Sequence, residues 1–252
     1  MVRLKAGSKG MGKSDEPVKS MKMEQPLEDR IDDGKMKRYK EMLLSGDVFG
    51  AANSIERSPE DSKFVGKLLG HAKAPMRLKA AKALASAANR ADISTALPAL
   101  INALSEKDKD TRERVVITLG YALVFERSRG NTLEALIQGL SNPVEVIRSG
   151  SAIVLRTATY AGIDITAALP ALANKLTDSD ETVRTESVSA LKYAAKTGKH
   201  CVRKKITALL LEFTQSGWLM NEASANSVAF ASVVTKVAEL TKSIDKAEKG
   251  GH

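Results

Sequence analysis

The chain has 252 residues, and its 39 Lys and Arg against 30 Asp and Glu give a formal net charge of +9 at pH 7. Hydrophobic residues make up 43% of the sequence and aromatic residues only 4%, which is enough for a core built mainly from small aliphatic side chains. No stretch reaches the ~20 apolar residues of a membrane-spanning helix. Cys201 is the only cysteine, so an internal disulfide is excluded and a cytoplasmic location is favoured.

Residues 1–34 are predicted to be a flexible, basic N-terminal tail. Six Lys and Arg stand against Asp15 and Glu16 in residues 1–22, and few apolar residues are available for burial. Residues 7–14 fit the pattern of a phosphate-binding loop, G-x-x-x-x-G-K-S. That loop needs a buried strand before it and a helix after it. Residues 1–6 are too short and basic for the strand, and Pro17 interrupts the helix, so we interpret the match as chance.

A helix pair is predicted from Lys35 onward. Met36, Tyr39, Met42 and Leu43 have helical spacing, and a second apolar pattern starts at Val48, after a Gly-Asp turn. The pattern departs from the repeats that follow, as is typical of a terminal capping repeat whose outer face meets water.

The central part of the chain repeats itself. The segment LPALINAL from Leu97 recurs as LEALIQGL from Leu133 and as LPALANKL from Leu169, a constant spacing of 36 residues. Apolar residues at i, i+3, i+4 and i+7 of each segment predict one buried face of a helix. A polar turn and a second helical pattern follow each time, so every repeat is predicted to be a helix pair.

One polar residue, an arginine, recurs at the equivalent position of successive repeats. An arginine is predicted in the first turn of each second helix, where it bonds to the preceding turn or to an acidic residue of a neighbouring repeat, with Asp110 and Asp180 as the evident partners. We interpret this arginine ladder as a structural tie between repeats and not as a ligand contact; its members are Arg77, Arg112, Arg148 and Arg184.

These features resemble HEAT repeats, in particular the short HEAT-like repeats of the phycobilisome-lyase type. The paired helices, the Leu-Pro-Ala-Leu start of the first helix and the segment Asp180 to Arg184 at the start of the second carry the resemblance, which is clearest over residues 60–196. It implies an all-α fold, an α-solenoid of about six stacked antiparallel helix pairs over residues 35–241. The last pair is expected to break at Gly217-Trp218 and to end with a helix over 221–240, before a polar tail at 242–252.

Residues suited to catalysis are sparse. His71, His200 and His252 are far apart in sequence, and His200-Cys201 alone falls short of the three or four ligands of a usual metal site. We therefore predict a non-enzymatic protein without a metal, a cofactor, a small-molecule substrate or a membrane partner.

Two functions remain open. A HEAT-like protein is expected to be a scaffold that binds a protein partner, of which an acidic protein is one option, through the second helices, which line the concave face in this family. The candidate contact residues are Lys79, Lys82, Arg114, Tyr121, Arg156, Lys192, Tyr193 and Lys196. The alternative is association with nucleic acid or a ribonucleoprotein through the basic tail and a basic cluster over residues 196–205. Beyond Lys196, that cluster consists of Lys199, Arg203, Lys204 and Lys205.

Overall fold

The computed structural model describes residues 27–215, together with residues 235, 238–240, 242 and 244. The phosphate-loop match, the break at Gly217-Trp218, most of the predicted helix over 221–240 and nearly all of the C-terminal tail lie outside the described residues. All regular secondary structure in the described part is helical, which confirms the all-α prediction. None of the described helices is both long and apolar enough to cross a lipid bilayer.

Residues 27–215 form a series of α-helices joined by short turns. In chain order they are α1 (Leu27–Ser45), α2 (Val48–Arg57), α3 (Ser62–Lys67), α4 (Ala74–Ala88), α5 (Leu97–Ala103), α6 (Lys109–Val124), α7 (Glu126–Leu140), α8 (Glu145–Tyr160), α9 (Leu169–Asn174), α10 (Glu181–Thr197) and α11 (His200–Gln215). Short 3-10 helices extend or precede several of the first helices, at Pro59–Asp61, Leu68–Gly70, Ser94–Ala96, Thr166–Ala168 and Lys175–Thr177.

The helices stack in two rows. The odd-numbered helices α1 to α11 each pack on the next odd-numbered helix, and the even-numbered helices α2 to α10 do the same. Each odd helix also packs on the even helix that follows it, so the described chain comprises five helix pairs and α11. This arrangement confirms the predicted α-solenoid of stacked helix pairs, in which each repeat contacts mainly its neighbours.

The apolar spacing of the sequence explains the core between the rows. Leu97, Leu100, Ile101 and Leu104 are all buried, as their helical spacing predicts. Pro98 occupies the first turn of α5, where a missing N–H group breaks no hydrogen bond. Many core residues are alanine, which lets the helix axes approach closely because there is little side chain between them.

The first helix begins inside the segment predicted as a tail, because α1 starts at Leu27. A buried carboxylate fixes it to the repeats. Asp61, next to the start of α3, accepts hydrogen bonds from Lys35 Nζ at 2.7 Å and from the Tyr39 hydroxyl at 3.3 Å. Tyr39 and Leu43 are buried against the array, so α1 packs as part of the first helix pair.

The repeats alternate between two kinds. Residues 92–100 and 164–172 share the pattern D-I-x-x-A-L-P-A-L, and in both a 3-10 helix leads into a first helix. Asp92 accepts hydrogen bonds from the backbone N–H and hydroxyl of Ser94, and Asp164 accepts the same two bonds from Thr166. Between them, α7 follows Phe125 directly and lacks such a start. From Asp92 to Asp164 the structural period is therefore 72 residues and comprises two helix pairs, whereas α3 departs from it because the 3-10 helix Pro59–Asp61 precedes it.

Packing in the even-numbered row follows the same alternation. Helices α4 and α6 pack extensively, as do α8 and α10, whereas α6 and α8 share fewer contacts. The boundary between α6 and α8 separates one two-repeat unit from the next, and we call it the seam.

Candidate functional site

The arginine ladder closes the turn inside each repeat. Every ladder arginine donates a hydrogen bond from Nη1 to the carbonyl oxygen six residues earlier, where the turn between the paired helices begins. The distances are 2.9 Å for Arg77 to His71, 2.6 Å for Arg112 to Glu106, 3.1 Å for Arg148 to Asn142 and 2.7 Å for Arg184 to Asp178. The charged side chain thus satisfies a carbonyl that no helix hydrogen bond reaches.

Two ladder arginines also bind the next repeat. Arg148 donates from Nε and Nη2 to the two oxygens of Asp178, at 2.9 and 2.8 Å. Arg77 Nη2 lies 3.1 Å from Oε1 of Glu106, and its Nε lies 2.6 Å from Oε2. These carboxylates differ from the expected ones: Asp110 is exposed in the first turn of α6, and Asp180 caps α10.

Arg112 stands at the seam and has no such carboxylate. The residue that corresponds to Glu106 and Asp178 in the following repeat is Asn142. Its Oδ1 accepts the backbone N–H of Val144 at 2.9 Å, as Asp178 Oδ1 accepts that of Asp180 at 3.1 Å. Over residues 27–215 no ion pair involving Arg112 is present. Its guanidinium donates to the turn carbonyl of Glu106, and its charge interacts with Asp108, which caps α6.

Several predicted contact residues serve the fold itself. Lys79 Nζ donates to the carbonyl oxygens of Leu43 and Leu44 at the end of α1, at 2.8 and 3.3 Å. Arg156 pairs with Glu186, with 2.5 Å between Nε and Oε2. In the basic cluster, Arg203 donates to the carbonyl oxygen of Gly198 at 2.8 Å, and Lys205 Nζ to that of Thr166 at 3.4 Å.

Other predicted lysines are exposed. We define the second-helix face as the exposed surface of α2, α4, α6, α8 and α10. Lys82, Lys192 and Lys196 are exposed on it without an ion pair to any described residue, and Lys199 and Lys204 are exposed around the turn between α10 and α11. Hydrogen bonds from the hydroxyl and backbone N–H of Thr166 hold the pKa of Asp164 below its ordinary value, and the charge of Lys199 adds to this effect.

Two aromatic sites lie on the second-helix face. Arg114 and Tyr121 of α6, together with Phe49 of α2, line a cleft of about 370 Å³ that crosses α4. Phe49 was not predicted, and 74% of its surface is exposed. Farther along, Tyr160 and Tyr193 meet edge to face with ring centroids 5.2 Å apart, and Tyr160 is 70% exposed.

A third site lies at the seam and was missed by the sequence analysis. It is a groove of about 400 Å³ between α6 and α8, and we call it the seam groove; its walls consist of Leu104, Arg112, Glu113, Val116, Ile117, Val146, Ser149, Gly150 and Ile153. Val116 has helical spacing with Leu119 and Leu123, which predicts burial, but it is half-buried in the groove wall.

The repeat alignment carries a signal for this groove. Ile117 and Ile153 stand five residues after their ladder arginines, and the same position holds Lys82 and Ser189 in the flanking repeats. Apolar residues thus occur at an exposed repeat position only where two units meet.

In the described part of the chain, no group of three or more His, Cys, Asp and Glu is arranged to hold a metal ion, and Cys201 is an exposed free thiol.

Comparison with known proteins gives similarity at the level of structure only. No protein-family profile and no curated protein sequence matches this chain. A TOG-domain structure from work on TOG–tubulin binding specificity is 13% identical, covers 82% of this chain and 81% of its own, and has a TM-score of 0.57. A TOG domain of crescerin, whose TOG array regulates microtubules in the primary cilium, is 11% identical, covers 80% and 88%, and has a TM-score of 0.55.

A designed armadillo repeat protein in complex with the peptide (KR)4 is also similar, with 16% identity, coverage of 87% and 95%, and a TM-score of 0.43. The similarity to the two TOG domains shows that the chain has the fold of HEAT-like helical-repeat proteins. The comparisons do not confirm the phycobilisome-lyase subtype.

Proposed function

We propose that this protein is a non-catalytic scaffold that binds a protein partner on its second-helix face. The observation that carries the proposal is the series of aromatic side chains on that face: Phe49, Tyr121 and Tyr160 are exposed, and Tyr193 is half-buried in contact with Tyr160. Exposed tyrosines combine a large apolar surface with a polar tip and are enriched among the residues that dominate interface energy. The two TOG domains support the proposal as proteins of the same fold that act on tubulin or microtubules.

Photo-crosslinking tests the proposal. In one variant, the photo-crosslinking residue benzoylphenylalanine replaces Tyr160. In the matched control it replaces Glu134, an exposed residue of α7, which lies in the row of first helices. In nuclease-treated native lysate, we expect crosslinking from position 160 to one stoichiometric protein and none from position 134. Equal capture from both positions, or none from position 160, would overturn the proposal.

The basic cluster favours a second candidate, the nucleic-acid association predicted from the sequence. Lys196, Lys199 and Lys204 are exposed within nine residues of chain, around one turn. Binding to duplex DNA or RNA through phosphates should weaken with salt, with a log–log slope of about −0.9 for each phosphate neutralised on a duplex. Replacing Lys199 and Lys204 by Glu, or deleting residues 1–22, should flatten that slope. If both variants bind nucleic acid with the same affinity and the same salt slope as the wild type, nucleic-acid association through the tail and the cluster is ruled out and the scaffold function is the one candidate left.

Two further predictions belong with this proposal. Residues 35–241 are proposed to act as one binding unit flanked by tails, and the protein is proposed to work in the cytoplasm. Limited proteolysis and a fluorescent fusion, respectively, test these two statements.

A further inference from the structure

We propose that the seam groove binds a short segment of a partner protein that presents a bulky apolar side chain and, close to it, a carboxylate. This inference rests on the scaffold function and specifies one site and the chemistry of what it binds.

The apolar part of the proposal follows from the walls of the groove. Val116, Ile117, Val146 and Ile153 face an opening of about 400 Å³, and Ile117 and Val146 are 39% and 41% exposed. Exposed aliphatic side chains that cluster around a groove gain free energy when a partner removes them from water. The opening accommodates one bulky aliphatic or aromatic side chain, with main chain along the rim.

The repeats of the same chain provide an internal control. Positions equivalent to Ile117 and Ile153 hold Lys82 and Ser189, and the position of Val146 holds Asp110 in α6 and Thr182 in α10. Polar residues are therefore compatible with the fold at these positions. The solenoid does not need isoleucine there, whereas a binding groove does.

The carboxylate part of the proposal follows from Arg112, which lines the same groove. The equivalent arginines, Arg77 and Arg148, each bind a carboxylate of the next repeat, at Glu106 and Asp178. At the seam Asn142 replaces that carboxylate.

Asp108 is near enough for its charge to interact with that of Arg112, but its carboxylate accepts hydrogen bonds from Thr111, and no described residue forms an ion pair with Arg112. Glu113, which also lines the groove, forms an ion pair with Lys109 of the same helix. Charge complementarity with Arg112 thus selects an Asp or Glu of the partner, since a guanidinium forms strong charge-assisted hydrogen bonds with a carboxylate.

Peptide selection is the first experiment. A random dodecapeptide library displayed on phage is panned against the intact protein and, in parallel, against the Ile117→Lys/Ile153→Ser variant, which carries the residues of the flanking repeats. We expect peptides enriched on the wild type alone that combine a large apolar residue with Asp or Glu a few residues away. Equal enrichment on both proteins, no enrichment, or enrichment of basic peptides would overturn the proposal.

Affinity measurements on the best peptide test the two halves separately. The Ile117→Lys/Ile153→Ser variant should bind at least about tenfold more weakly because the apolar wall is lost. Replacing the peptide carboxylate by the amide should cost about tenfold with the wild type. Lys82→Ser, on the same face but outside the groove, is the control and should change Kd by less than about twofold.

Asn142→Asp provides a variant that the fold accommodates. It restores at the seam the carboxylate that Arg77 and Arg148 bind in their repeats, so it should raise the melting temperature and compete with the peptide for Arg112. Weaker binding of the acidic peptide, together with unchanged binding of its amide analogue, is the expected result. An acidic peptide that binds this variant as tightly as the wild type overturns the role of Arg112.

Failure of the groove and failure of the scaffold function are distinguishable. If a partner crosslinks at position 160 and yet binds the Ile117→Lys/Ile153→Ser variant with unchanged Kd, binding at the seam groove is refuted and the scaffold proposal stands. Self-association of the wild type that this variant abolishes would identify a second copy of the chain as the occupant and would equally overturn the proposal.

Discussion

Arg148 and Asp178 lie in consecutive repeats and form a two-pronged ion pair, with Nε and Nη2 of the arginine 2.9 and 2.8 Å from the two carboxylate oxygens. Only 12% of the Arg148 side chain and 5% of that of Asp178 are exposed. Arg148 also holds the turn carbonyls of its own repeat, so a single side chain joins two repeats. The bond to a turn carbonyl is common to all four ladder arginines and explains why an arginine recurs at this position, and at Arg77 and Arg148 the same side chain also joins neighbouring repeats.

We predict that Asp178→Asn destabilises the protein by about 3 kcal/mol, because it leaves the largely buried Arg148 without its counter-charge. Chemical denaturation of the wild type and the variant measures this difference. Asp110→Asn, in the exposed first turn of α6, is the matched control and should change stability by less than about 0.5 kcal/mol. Equal effects of the two substitutions would contradict the structural role of the pair.

The same pair should make stability depend on pH. Burial would raise the pKa of Asp178, but hydrogen bonds from Arg148, the Asp180 backbone and Lys175 outweigh it and leave the pKa below the ordinary 3.8. Because the folded-state pKa is lowered, the stabilisation is present above the ordinary pKa and is lost as pH falls through the folded-state value. The stability difference between the wild type and Asp178→Asn should therefore be constant from about pH 7 to pH 5 and shrink below about pH 4. A difference that grows on acidification would refute the assignment.

Asp61 should control the N-terminal end of the array. Burial, and then the neighbouring carboxylate, raise the pKa of Tyr39 well above its ordinary value, so its hydroxyl stays protonated and donates to Asp61. Asp61→Ala removes the acceptor for Tyr39 and Lys35 and should cost about 1–3 kcal/mol.

Because a solenoid loses its terminal repeat first, the loss at Asp61 should appear as faster hydrogen exchange in α1 while α8 and α10 stay protected. Asp32→Ala, also in α1, breaks a partly exposed ion pair with Lys63 of α3 and should leave exchange nearly unchanged.

Two glycines of the second helices should respond to alanine in opposite directions. A Cβ at Gly150 of α8 would lie 3.1–3.3 Å from three side-chain carbons of Leu104, so Gly150→Ala should destabilise by about 1–3 kcal/mol. A Cβ at Gly120 of α6 would meet no atom within 4 Å, so Gly120→Ala should stabilise by about 0.5–1 kcal/mol through helix propensity. Thermal denaturation measures the melting temperature of both variants. Melting temperatures that shift in the same direction would contradict the close contact at Gly150.

The sequence was sufficient to predict the fold because apolar periodicity and a 36-residue repeat both depend on local spacing. Leu97, Leu100, Ile101 and Leu104 have the helical spacing that places them in the core, and they are buried. Partners across the stack were harder to predict. Asp110 and Asp180 were the evident acids near the ladder, yet Glu106 and Asp178 bind it, since which carboxylate reaches an arginine depends on how adjacent repeats are rotated.

The seam groove escaped prediction for a related reason. Val116 fits the buried stripe of an isolated helix, and only the looser packing of α8 on α6 leaves it in a groove wall. Similarly, the exposure of Phe49 and the engagement of Lys79 by α1 depend on neighbouring helices that a one-dimensional pattern does not place.

The doubled period constrains how such an array can change length during evolution or by engineering. Adding or removing 36 residues would bring two repeats of the same kind together and would place an asparagine against Arg148 or a carboxylate against Arg112. A change of 72 residues keeps every arginine opposite its present type of neighbour. Insertions and deletions in steps of two helix pairs should therefore preserve folding, and each added unit would bring one additional seam.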